Sequence, residues 1–303
     1  MEERVIALKI DVDTHQGMKL GVPTLLAILR DFGIQATFFL SFGPDNSGKA
    51  VWNLLRRRGF LSKMIRTRAP RLYGLRTLFY GTLLPAPHIA LAFPETVRQI
   101  DREGHEIGVH AWDHRRWQDH LDQLSRQEIG QEFDKSFRAY REILGRDPKA
   151  TAAPAWYCTR DSLEVQESLG LDYSSDTRGE GPFYPRIGKR VFKTLQIPSN
   201  QPCIEEIIGL NGMSRAGLVA YQIARLKERE PNVLAIHAEV EGRLYTDAFS
   251  RLLEVALGRG FSFLPLDRVC SLAKKKDLPV REIAYRQLPG RSGRVAVPVG
   301  DSG

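Results

Sequence analysis

The chain alternates short apolar runs with longer stretches of amphipathic periodicity. The first run, Val5 to Ile10, has the length and composition of a buried strand. Elsewhere, apolar side chains recur at helical spacing, as in Ile129, Phe133 and Phe137. Strands are predicted at residues 5–10, 35–41, 106–110, 150–154, 171–175, 191–197, 233–237 and 261–265. Helices are predicted at residues 21–33, 94–103, 125–144, 160–169, 214–230, 246–259 and 267–276.

Strands that alternate with helices indicate an α/β fold built on a parallel sheet with right-handed crossovers. The carboxyl ends of such strands share one rim, where catalytic groups gather in α/β barrels. Two segments interrupt the alternation, residues 44–93 between the second and third predicted strands and residues 277–303 at the end. The stretch from Gln287 onward is rich in Gly, Pro and Arg and has no periodicity. We therefore expect a catalytic domain at residues 1–276, with 277–303 as a partly disordered tail.

Composition places the chain among ordinary folded proteins and narrows its compartment. Its 303 residues are 42% hydrophobic and 26% charged, which suits a single α/β barrel domain. The three cysteines are scattered and form no C-x-x-C pair, a pattern that favours a reducing compartment. The acidic N-terminus has no signal-peptide pattern, and no apolar stretch reaches about 18 residues. We expect neither secretion nor a membrane span.

Positive charge is concentrated in one segment. Between Asp45 and Glu95 the chain has no acidic residue and nine Lys or Arg residues, one more than the net charge of +8 of the whole chain. Bulky apolar side chains lie among these cations, as in segments that rest on an anionic membrane surface. The candidate membrane contacts are Arg56, Arg57, Arg58, Phe60, Arg66, Arg68, Leu78 and Phe79. The aliphatic residues argue against a nucleic-acid surface, whereas a protein partner or a substrate lid stays open.

Two short strings carry candidate metal chemistry. Asp11 and Asp13 come at the end of the first predicted strand, and His110 and His114 lie at and beyond the end of the third. The spacing of His110 and His114 puts both rings on one face of a helical turn, as in metal-binding His pairs. Together with Asp13 they make the ligand set of a hydrolytic metal site with positions left for water. Asp11 is then a candidate general base.

Hydrolysis of an amide also needs a general acid, because the amine must be protonated as it leaves. His237 follows the apolar run Val233–Ile236, so it lies at the carboxyl end of a predicted strand and on the same rim. We predict that His237 is this acid. A divalent ion would polarise the carbonyl and lower the pKa of the attacking water.

In this order, the three strings resemble the motifs of the polysaccharide deacetylase (NodB-homology) family. Ile10-Asp11-Val12-Asp13 is similar to the first motif of that family, His110 with His114 to the second, and Ile236-His237 to the last. The resemblance covers residues 4–275 and implies a deformed (β/α) barrel that removes acyl groups from amino sugars.

The resemblance also implies the same roles for these residues, with Asp11 as base, His237 as acid, and Asp13, His110 and His114 as metal ligands. Zn²⁺ is the default ion for this ligand set, and Co²⁺, Mn²⁺ or Ni²⁺ are alternatives.

The third motif departs from the family pattern. Where Arg-x-Pro-aromatic is usual, this chain has Ala152-Ala153-Pro154-Ala155-Trp156, so the Arg that normally pairs with the base is missing. We predict that Arg178, which follows the strand predicted at 171–175, takes its place and keeps Asp11 ionised.

Further strings resemble one branch of the family, the bacterial deformylases of undecaprenyl-phosphate-linked 4-deoxy-4-formamido-L-arabinose. They are Ser175-Asp176-Thr177-Arg178-Gly179 and His237-Ala238-Glu239-Val240-Glu241-Gly242. The branch implies release of formate, an amino sugar destined for lipid A, and resistance to polymyxin-type peptides. A polyprenyl-linked substrate also implies a peripheral enzyme at the cytoplasmic face of the bacterial inner membrane, with residues 44–93 as the membrane contact. Nucleic acid is not expected as a partner.

Several residues on the predicted rim are candidate substrate contacts, namely His15, Trp112, Trp156, Asp176, Arg178 and Glu239. Some of them have an alternative role. Trp112 either stacks on a sugar ring or only packs, and Glu239 either binds a sugar hydroxyl or is only exposed to solvent. His15 lines the pocket with or without a part in the chemistry.

Two other functions stay open. One is an N-deacetylase of an amino-sugar polysaccharide or oligosaccharide, which the missing secretion signal and the basic insertion argue against. The other is a non-catalytic lipid-phosphate-binding protein, which the intact set of base, ligands and acid argues against. Loss of turnover in Asp11→Asn with lipid binding retained would separate an enzyme from the second alternative.

Overall fold

The protein is described by a computed structural model over residues 4–52, 77–208, 213–273, 277–291 and 293–300. The strands in chain order are β1 (Val5–Val12), β2 (Thr37–Ser41), β3 (Glu106–Ala111), β4 (Ala150–Thr151), β5 (Tyr173–Ser174), β6 (Tyr184–Ile187), β7 (Arg190–Val191), β8 (Leu195–Gln196), β9 (Asn232–His237), β10 (Ser262–Leu264), β11 (Val280–Gln287) and β12 (Arg294–Val299). The helices are α1 (Val22–Phe32), α2 (Pro94–Arg102), α3 (His114–His120), α4 (Arg126–Leu144), α5 (Arg160–Ser168), α6 (Ile204–Ile207), α7 (Arg215–Ala224), α8 (Thr246–Gly258) and α9 (Leu266–Ala273).

The main sheet is parallel and curls into part of a barrel. Its strands follow the order β10-β1-β2-β3-β4-β5-β8, and β9 also pairs with β1. The helical layer covers its convex side, where the apolar faces of α1, α4 and α8 join the largest core cluster. The prediction of an α/β fold with a deformed barrel is confirmed.

Strand β1 holds the sheet together and sets the positions of the charged side chains. It pairs with β9 along Ile6–Asp11, with β2 along Lys9–Val12 and with β10 along Val5–Ala7. Successive side chains of a strand face opposite sides of the sheet. The even-numbered ones of β1 pack against the helical layer, whereas Ala7 joins Phe39 and Tyr173 in a separate cluster inside the curl. Lys9 and Asp11 lie on that same inner side, and both are buried.

Several predicted strands are shorter in the structure. The strands predicted at 150–154, 171–175 and 191–197 keep only short ladders at β4, β5, β7 and β8. The residues that follow β4 and β5 leave the sheet to form the loops around its rim. In the interrupting segment, Ser47–Trp52 and Thr77–Phe79 are 3₁₀ turns, and residues 53–76 lie outside the described part of the chain.

The prediction of a partly disordered tail at 277–303 is wrong for most of the segment that the structure describes. β11 and β12 form an antiparallel hairpin, and β11 also pairs with β6 in a second sheet of order β12-β11-β6-β7. Val295, Ala296 and Val297 are all buried in succession. The segment therefore lacks the alternation of a half-exposed strand, and its stability comes from tertiary packing on the barrel.

Glu106 is the first residue of β3 and lies at the amino end of the strand, opposite the rim formed by the carboxyl ends. One carboxylate oxygen accepts hydrogen bonds from Thr37 Oγ1, Tyr173 Oη and Asp267 N. Burial raises the pKa of Glu106 to about 7, although the Thr37 and Tyr173 hydroxyls oppose the shift.

This raised pKa predicts a pH-dependent stability. Because an unfolded Glu has a pKa of about 4.3, the folded state binds the proton more tightly. The contribution of Glu106 is therefore present below pH ~4 and is lost as the pH rises to about 7. We expect the free energy of unfolding of the wild type to fall by on the order of 3 kcal/mol between these limits. Glu106→Gln should not show this fall, because its side-chain amide does not ionise. Thermal unfolding from pH 4 to 8 measures it, with the exposed Glu142→Gln as control. Parallel pH profiles for all three proteins would contradict this prediction.

Candidate active site and metal centre

The three predicted metal ligands converge at the rim of the sheet. Asp13 directly follows β1, His110 belongs to β3, and His114 is the first residue of α3. Asp13 Oδ1 lies 3.2 Å from His110 Nε2, and Asp13 Oδ2 lies 3.3 Å from His114 Nε2. The structure thus brings one carboxylate and two imidazole nitrogens to a single point.

The donors at this point fit a divalent metal ion. Asp13 Oδ1 is buried and accepts no hydrogen bond from the described residues. Burial opposes ionisation of Asp13, but His114 and His110 outweigh it and hold the pKa of that carboxyl well below its usual range. An ionised carboxylate with two imidazoles, all within 4.8 Å of one another, is the donor set of catalytic zinc and related ions.

The geometry of the His pair differs from the expectation. His110 is the fifth residue of strand β3 and only His114 is helical, so the rings do not share the face of one helical turn. They meet instead across the strand-to-helix junction, with ring centroids 5.2 Å apart. Asp113 caps α3 by accepting hydrogen bonds from the backbone N–H groups of Arg115 and Arg116. This cap fixes where the helix begins and therefore where His114 points.

Asp11, the predicted base, is paired with a lysine inside the sheet. Lys9 Nζ lies 3.5 Å from Asp11 Oδ2 and donates a hydrogen bond of 3.0 Å to the carbonyl oxygen of Ser175. Burial lowers the pKa of Lys9, while Asp11 and then Asp176 favour its charged form. Asp11 Oδ1 is also buried and receives no hydrogen bond from the described residues. One oxygen of Asp11 is thus held by a cation and the other is available to accept a proton.

His237, the predicted acid, ends β9 beside a glutamate. Its Nδ1 lies 2.5 Å from Glu205 Oε2. Burial alone lowers the pKa of His237, but Glu205, together with Asp13 and Asp11, raises it well above the ordinary value. The imidazole is therefore held protonated, as a general acid requires.

The side chains of Glu239 and Glu241, which follow His237, accept hydrogen bonds from the backbone of the site. Glu239 Oε1 accepts hydrogen bonds from the backbone N–H groups of Asp13 and Thr14, at 2.9 and 2.7 Å. Glu241 Oε2 accepts one of 2.9 Å from the N–H of His237. Burial raises the pKa of each carboxyl to about 8. A Cβ at position 17 would lie 2.1 Å from Glu239 Oε1, so only glycine fits this close approach.

Two residues at the start of segment 44–93 also hold the loops of the site in place by hydrogen bonds. Asp45 Oδ2 accepts a hydrogen bond from the backbone N–H of His15, and Asn46 Nδ2 donates one to Asp113 Oδ2. Asp45 and Asn46 are both buried. The loop after β1 and the cap of α3 are therefore tied to one dipeptide, a role with no pattern in the sequence that could have revealed it.

The sequence of the chain matches that of a known protein family. Residues 1–174 match the sequence model described as polysaccharide deacetylase. The chain belongs to the polysaccharide deacetylase family. A protein of Shewanella sediminis named probable 4-deoxy-4-formamido-L-arabinose-phosphoundecaprenol deformylase ArnD is 38% identical to this chain over 288 residues, which cover 95% of this chain and 92% of that protein. A protein of the same name from Wigglesworthia glossinidia brevipalpis is 32% identical, covering 92% of this chain and 97% of that protein.

Solved structures of polysaccharide deacetylases and related esterases share the fold. One from Mycobacterium smegmatis, described as a polysaccharide deacetylase, has a TM-score of 0.65 at 19% identity and covers 95% of this chain and 96% of that one. A family 4 acetyl xylan esterase from Clostridium thermocellum, in complex with a cobalt ion, has a TM-score of 0.53 at 13% identity and covers 88% and 91%. At these identities the likeness shows the fold alone.

The predicted substitute for the missing Arg of this polysaccharide deacetylase is wrong. Arg178 lies near the site but turns away from Asp11, because its guanidinium pairs with Glu206 at 2.6 Å and bonds the carbonyl oxygens of Ser199 and Gln201. The cation beside the base is Lys9. It was missed because it lies within an apolar run, where only the inward register of β1 distinguishes it.

Three predicted substrate contacts lie in the interior instead. Trp156 is 2% exposed, and the guanidinium groups of Arg178 and Arg291 lie 4.9 and 4.5 Å from the centre of its ring, so the indole is not open to a sugar. Asp176 is fully buried and accepts hydrogen bonds from Gln166 and Gln196. With Arg178 also engaged, all three have structural roles. Glu239 is fully buried too, so neither sugar binding nor solvent exposure describes it.

His15 and Trp112 remain candidate substrate contacts. Both are half-buried. His15 packs on Phe93 at a centroid distance of 4.8 Å, and its Nδ1 lies 2.8 Å from the carbonyl oxygen of His88. Trp112 lies beside the His88 ring at 5.8 Å. These rings form one wall next to the metal ligands.

The membrane prediction can be followed at only two of its residues. Leu78 and Phe79 belong to the 3₁₀ turn Thr77–Phe79, and Phe79 is 42% exposed. The other predicted contacts lie outside the described residues, namely Arg56, Arg57, Arg58, Phe60, Arg66 and Arg68. In the described part of the chain, no helix is long and apolar enough to cross a membrane.

The Lys9–Asp11 pair predicts a catalytic defect from a buried substitution. In Lys9→Met the base loses the cation that orients it, and a displacement of about 1 Å costs roughly 10²-fold in rate. We expect kcat for acyl release to fall by about this factor while KM changes little. Steady-state kinetics at matched metal content and folded fraction measures the effect. A wild-type kcat in Lys9→Met, with loss of kcat in Arg178→Met, would restore Arg178 as the partner of Asp11.

The metal centre predicts a selective loss of binding. His114→Gln removes an imidazole donor, and we expect the affinity for Zn²⁺ or Co²⁺ to fall at least tenfold, since even supporting residues cost about 10–100-fold. Isothermal titration of the metal-free protein gives the dissociation constant. His120→Gln, six residues further along α3, is the matched control and should bind as the wild type does. Equal affinities in all three proteins would contradict the assignment of His114.

Proposed function

We propose that the protein is a divalent-metal-dependent deformylase of undecaprenyl-phosphate-linked 4-deoxy-4-formamido-L-arabinose, which it converts to the 4-amino sugar and formate. The observation that carries the proposal is the convergence of Asp11, the Asp13–His110–His114 cluster and His237 in a chain 38% identical to a probable deformylase of this substrate. The amino sugar would serve lipid A modification, and with it resistance to polymyxin-type peptides.

The residues of the site supply the proton transfers of amide hydrolysis. Asp11 Oδ1 accepts a proton from the water that adds to the formyl carbon, and Lys9 holds Asp11 in place. His237 donates its proton to the sugar nitrogen as the C–N bond breaks, so that the amine leaves neutral. The other product is formic acid, which loses its proton to solvent as formate. Glu205 stabilises the imidazolium before the transfer. Acid–base assistance of this kind contributes about 10²–10⁴-fold in rate.

Asp13, His110 and His114 would hold the ion. A divalent ion supplies a Lewis acid that polarises the formyl oxygen and lowers the pKa of water. Zn²⁺ suits two imidazoles and a carboxylate, and Co²⁺, Mn²⁺ and Ni²⁺ accept the same donors. The Clostridium thermocellum esterase, which shares the fold, was solved in complex with a cobalt ion, which agrees with a metal-dependent reaction.

A lipid-linked substrate would require the enzyme to work at the cytoplasmic face of the inner membrane. The basic and apolar composition of residues 44–93 supports this location. Phe79 at 42% exposure and Leu83 at 79% add apolar surface at the carboxyl side of that segment.

Formate release tests the reaction. We expect the metal-loaded protein in detergent to release formate from the lipid-linked formamido sugar, and Asp11→Asn to release it about 10²–10⁴-fold more slowly while it retains metal. Acetate from N-acetylated glycans in place of formate would make the protein a polysaccharide deacetylase. Binding of the lipid without any turnover would make it a lipid-phosphate-binding protein.

The ion pair of His237 predicts a shifted pH profile. His237 acts as an acid only while protonated, so kcat/KM falls as the pH rises above its pKa. Glu205→Gln removes the charge that raises this pKa, and we expect the alkaline limb to move to lower pH. The matched control is Glu206→Gln, because Glu206 pairs with Arg178 and should leave the limb in place. An unmoved limb in Glu205→Gln would contradict His237 as the acid.

A further inference from the structure

A second group of metal-ligating side chains surrounds the acid. A Cys203 sulfur, a Glu205 carboxylate oxygen and a His237 ring nitrogen all lie within 4.8 Å of one another. Cys203 comes directly before α6, Glu205 lies within it, and His237 ends β9, so the start of α6 and the end of β9 meet here. All three residues are buried. Only two such groups are found in the described part of the chain, and the other is Asp13–His110–His114.

The spacing of these donors is close to that of a tetrahedral metal site. Bonds of about 2.0–2.3 Å place donor atoms on one ion roughly 3–4 Å apart, so side-chain adjustments of less than an ångström would complete the geometry. His237 Nδ1 and Glu205 Oε2, which are 2.5 Å apart, would separate by less than an ångström to admit the ion. Three protein donors leave a fourth position for water, as in other zinc sites with three protein ligands.

The donor types distinguish this group from the first one. A thiolate selects soft ions such as Cd²⁺ and Zn²⁺ over Mn²⁺ and Mg²⁺, which prefer oxygen. The Asp13–His110–His114 group contains no sulfur. Burial raises the pKa of the Cys203 thiol well above its usual range, so an ion must displace a proton from the sulfur and one from the imidazolium. This requirement makes the second group the weaker one at neutral pH.

We propose that Cys203, Glu205 and His237 form a second, inhibitory binding site for soft divalent ions, filled when Zn²⁺ or Cd²⁺ is in excess. The ion replaces the proton shared by His237 and Glu205, and the two displaced protons pass to solvent. Glu205 then binds the ion instead of pairing with the imidazolium, and His237 becomes a neutral imidazole bound through Nδ1. Its remaining Nε2 proton is a much weaker acid than an imidazolium proton and is not passed to the leaving amine. The binding site does not depend on the proposed reaction, whereas the inhibition does.

Stoichiometry and inhibition test the proposal together. With Cd²⁺ as the probe, we expect equilibrium dialysis to give two ions per wild-type chain and one per Cys203→Ser chain. Binding of the second equivalent should produce the ultraviolet absorption of a cadmium–thiolate bond. In the zinc-loaded enzyme, excess Zn²⁺ or Cd²⁺ should inhibit and Mn²⁺ should not. Cys203→Ser should raise the inhibitory concentration at least about tenfold and leave the rate without excess metal unchanged.

The other cysteines supply matched controls. Cys158 and Cys270 are also buried thiols, so Cys158→Ser and Cys270→Ser should keep both the second ion and the absorption. Serine is a good helix N-cap and keeps the cap of α6 that Cys203 provides, so the test variant should fold. One ion per wild-type chain, or a thiolate absorption that persists in Cys203→Ser, would overturn the site. Two ions without inhibition would overturn the inhibitory role and leave the site.

Discussion

The structure depends on charges buried at the carboxyl end of its central strand. Lys9 and Asp11 both point into the curl of the sheet, because they are two residues apart in β1. A buried carboxylate without a cation is costly, and Lys9 meets this requirement for Asp11 and for Asp176 nearby. The lysine thereby supplies the partner that a carboxylate base needs in an apolar interior. Two residues after Asp11, the strand delivers Asp13 to the rim.

The rest of the site is fastened to this strand from the other end of the chain. Glu239 accepts hydrogen bonds from the backbone that carries Asp13, and Glu241 from the N–H of His237. The C-terminal hairpin contributes the neighbouring wall, since Arg291 pairs with Glu206 and covers Trp156. Lys9 lies over another part of the same indole. The base, the acid and the hairpin therefore belong to one continuous network of buried charges and rings.

The fold class and the convergence of Asp13, His110 and His114 were predictable, because parallel strands bring their carboxyl ends to a common rim. The partner of Asp11 was not predictable. The sequence does not show that Lys9 faces the same side of the sheet as Asp11 until the register of β1 is known. The prediction of Arg178 rests on its position along the chain, which does not reveal that its guanidinium pairs with Glu206. The hairpin was missed because burial on both faces of β12 removes the alternation of a surface strand.

The most direct test of this account is a double-mutant cycle of Lys9→Met and Asp11→Asn. Lys9 is argued to act through the carboxylate of Asp11, so the two substitutions should not be additive in kcat. We expect the double variant to be no slower than Asp11→Asn alone, with thermal unfolding confirming that each variant is folded. Multiplicative losses of kcat, with Lys9→Met costing as much in the Asp11→Asn background as in the wild type, would contradict the account.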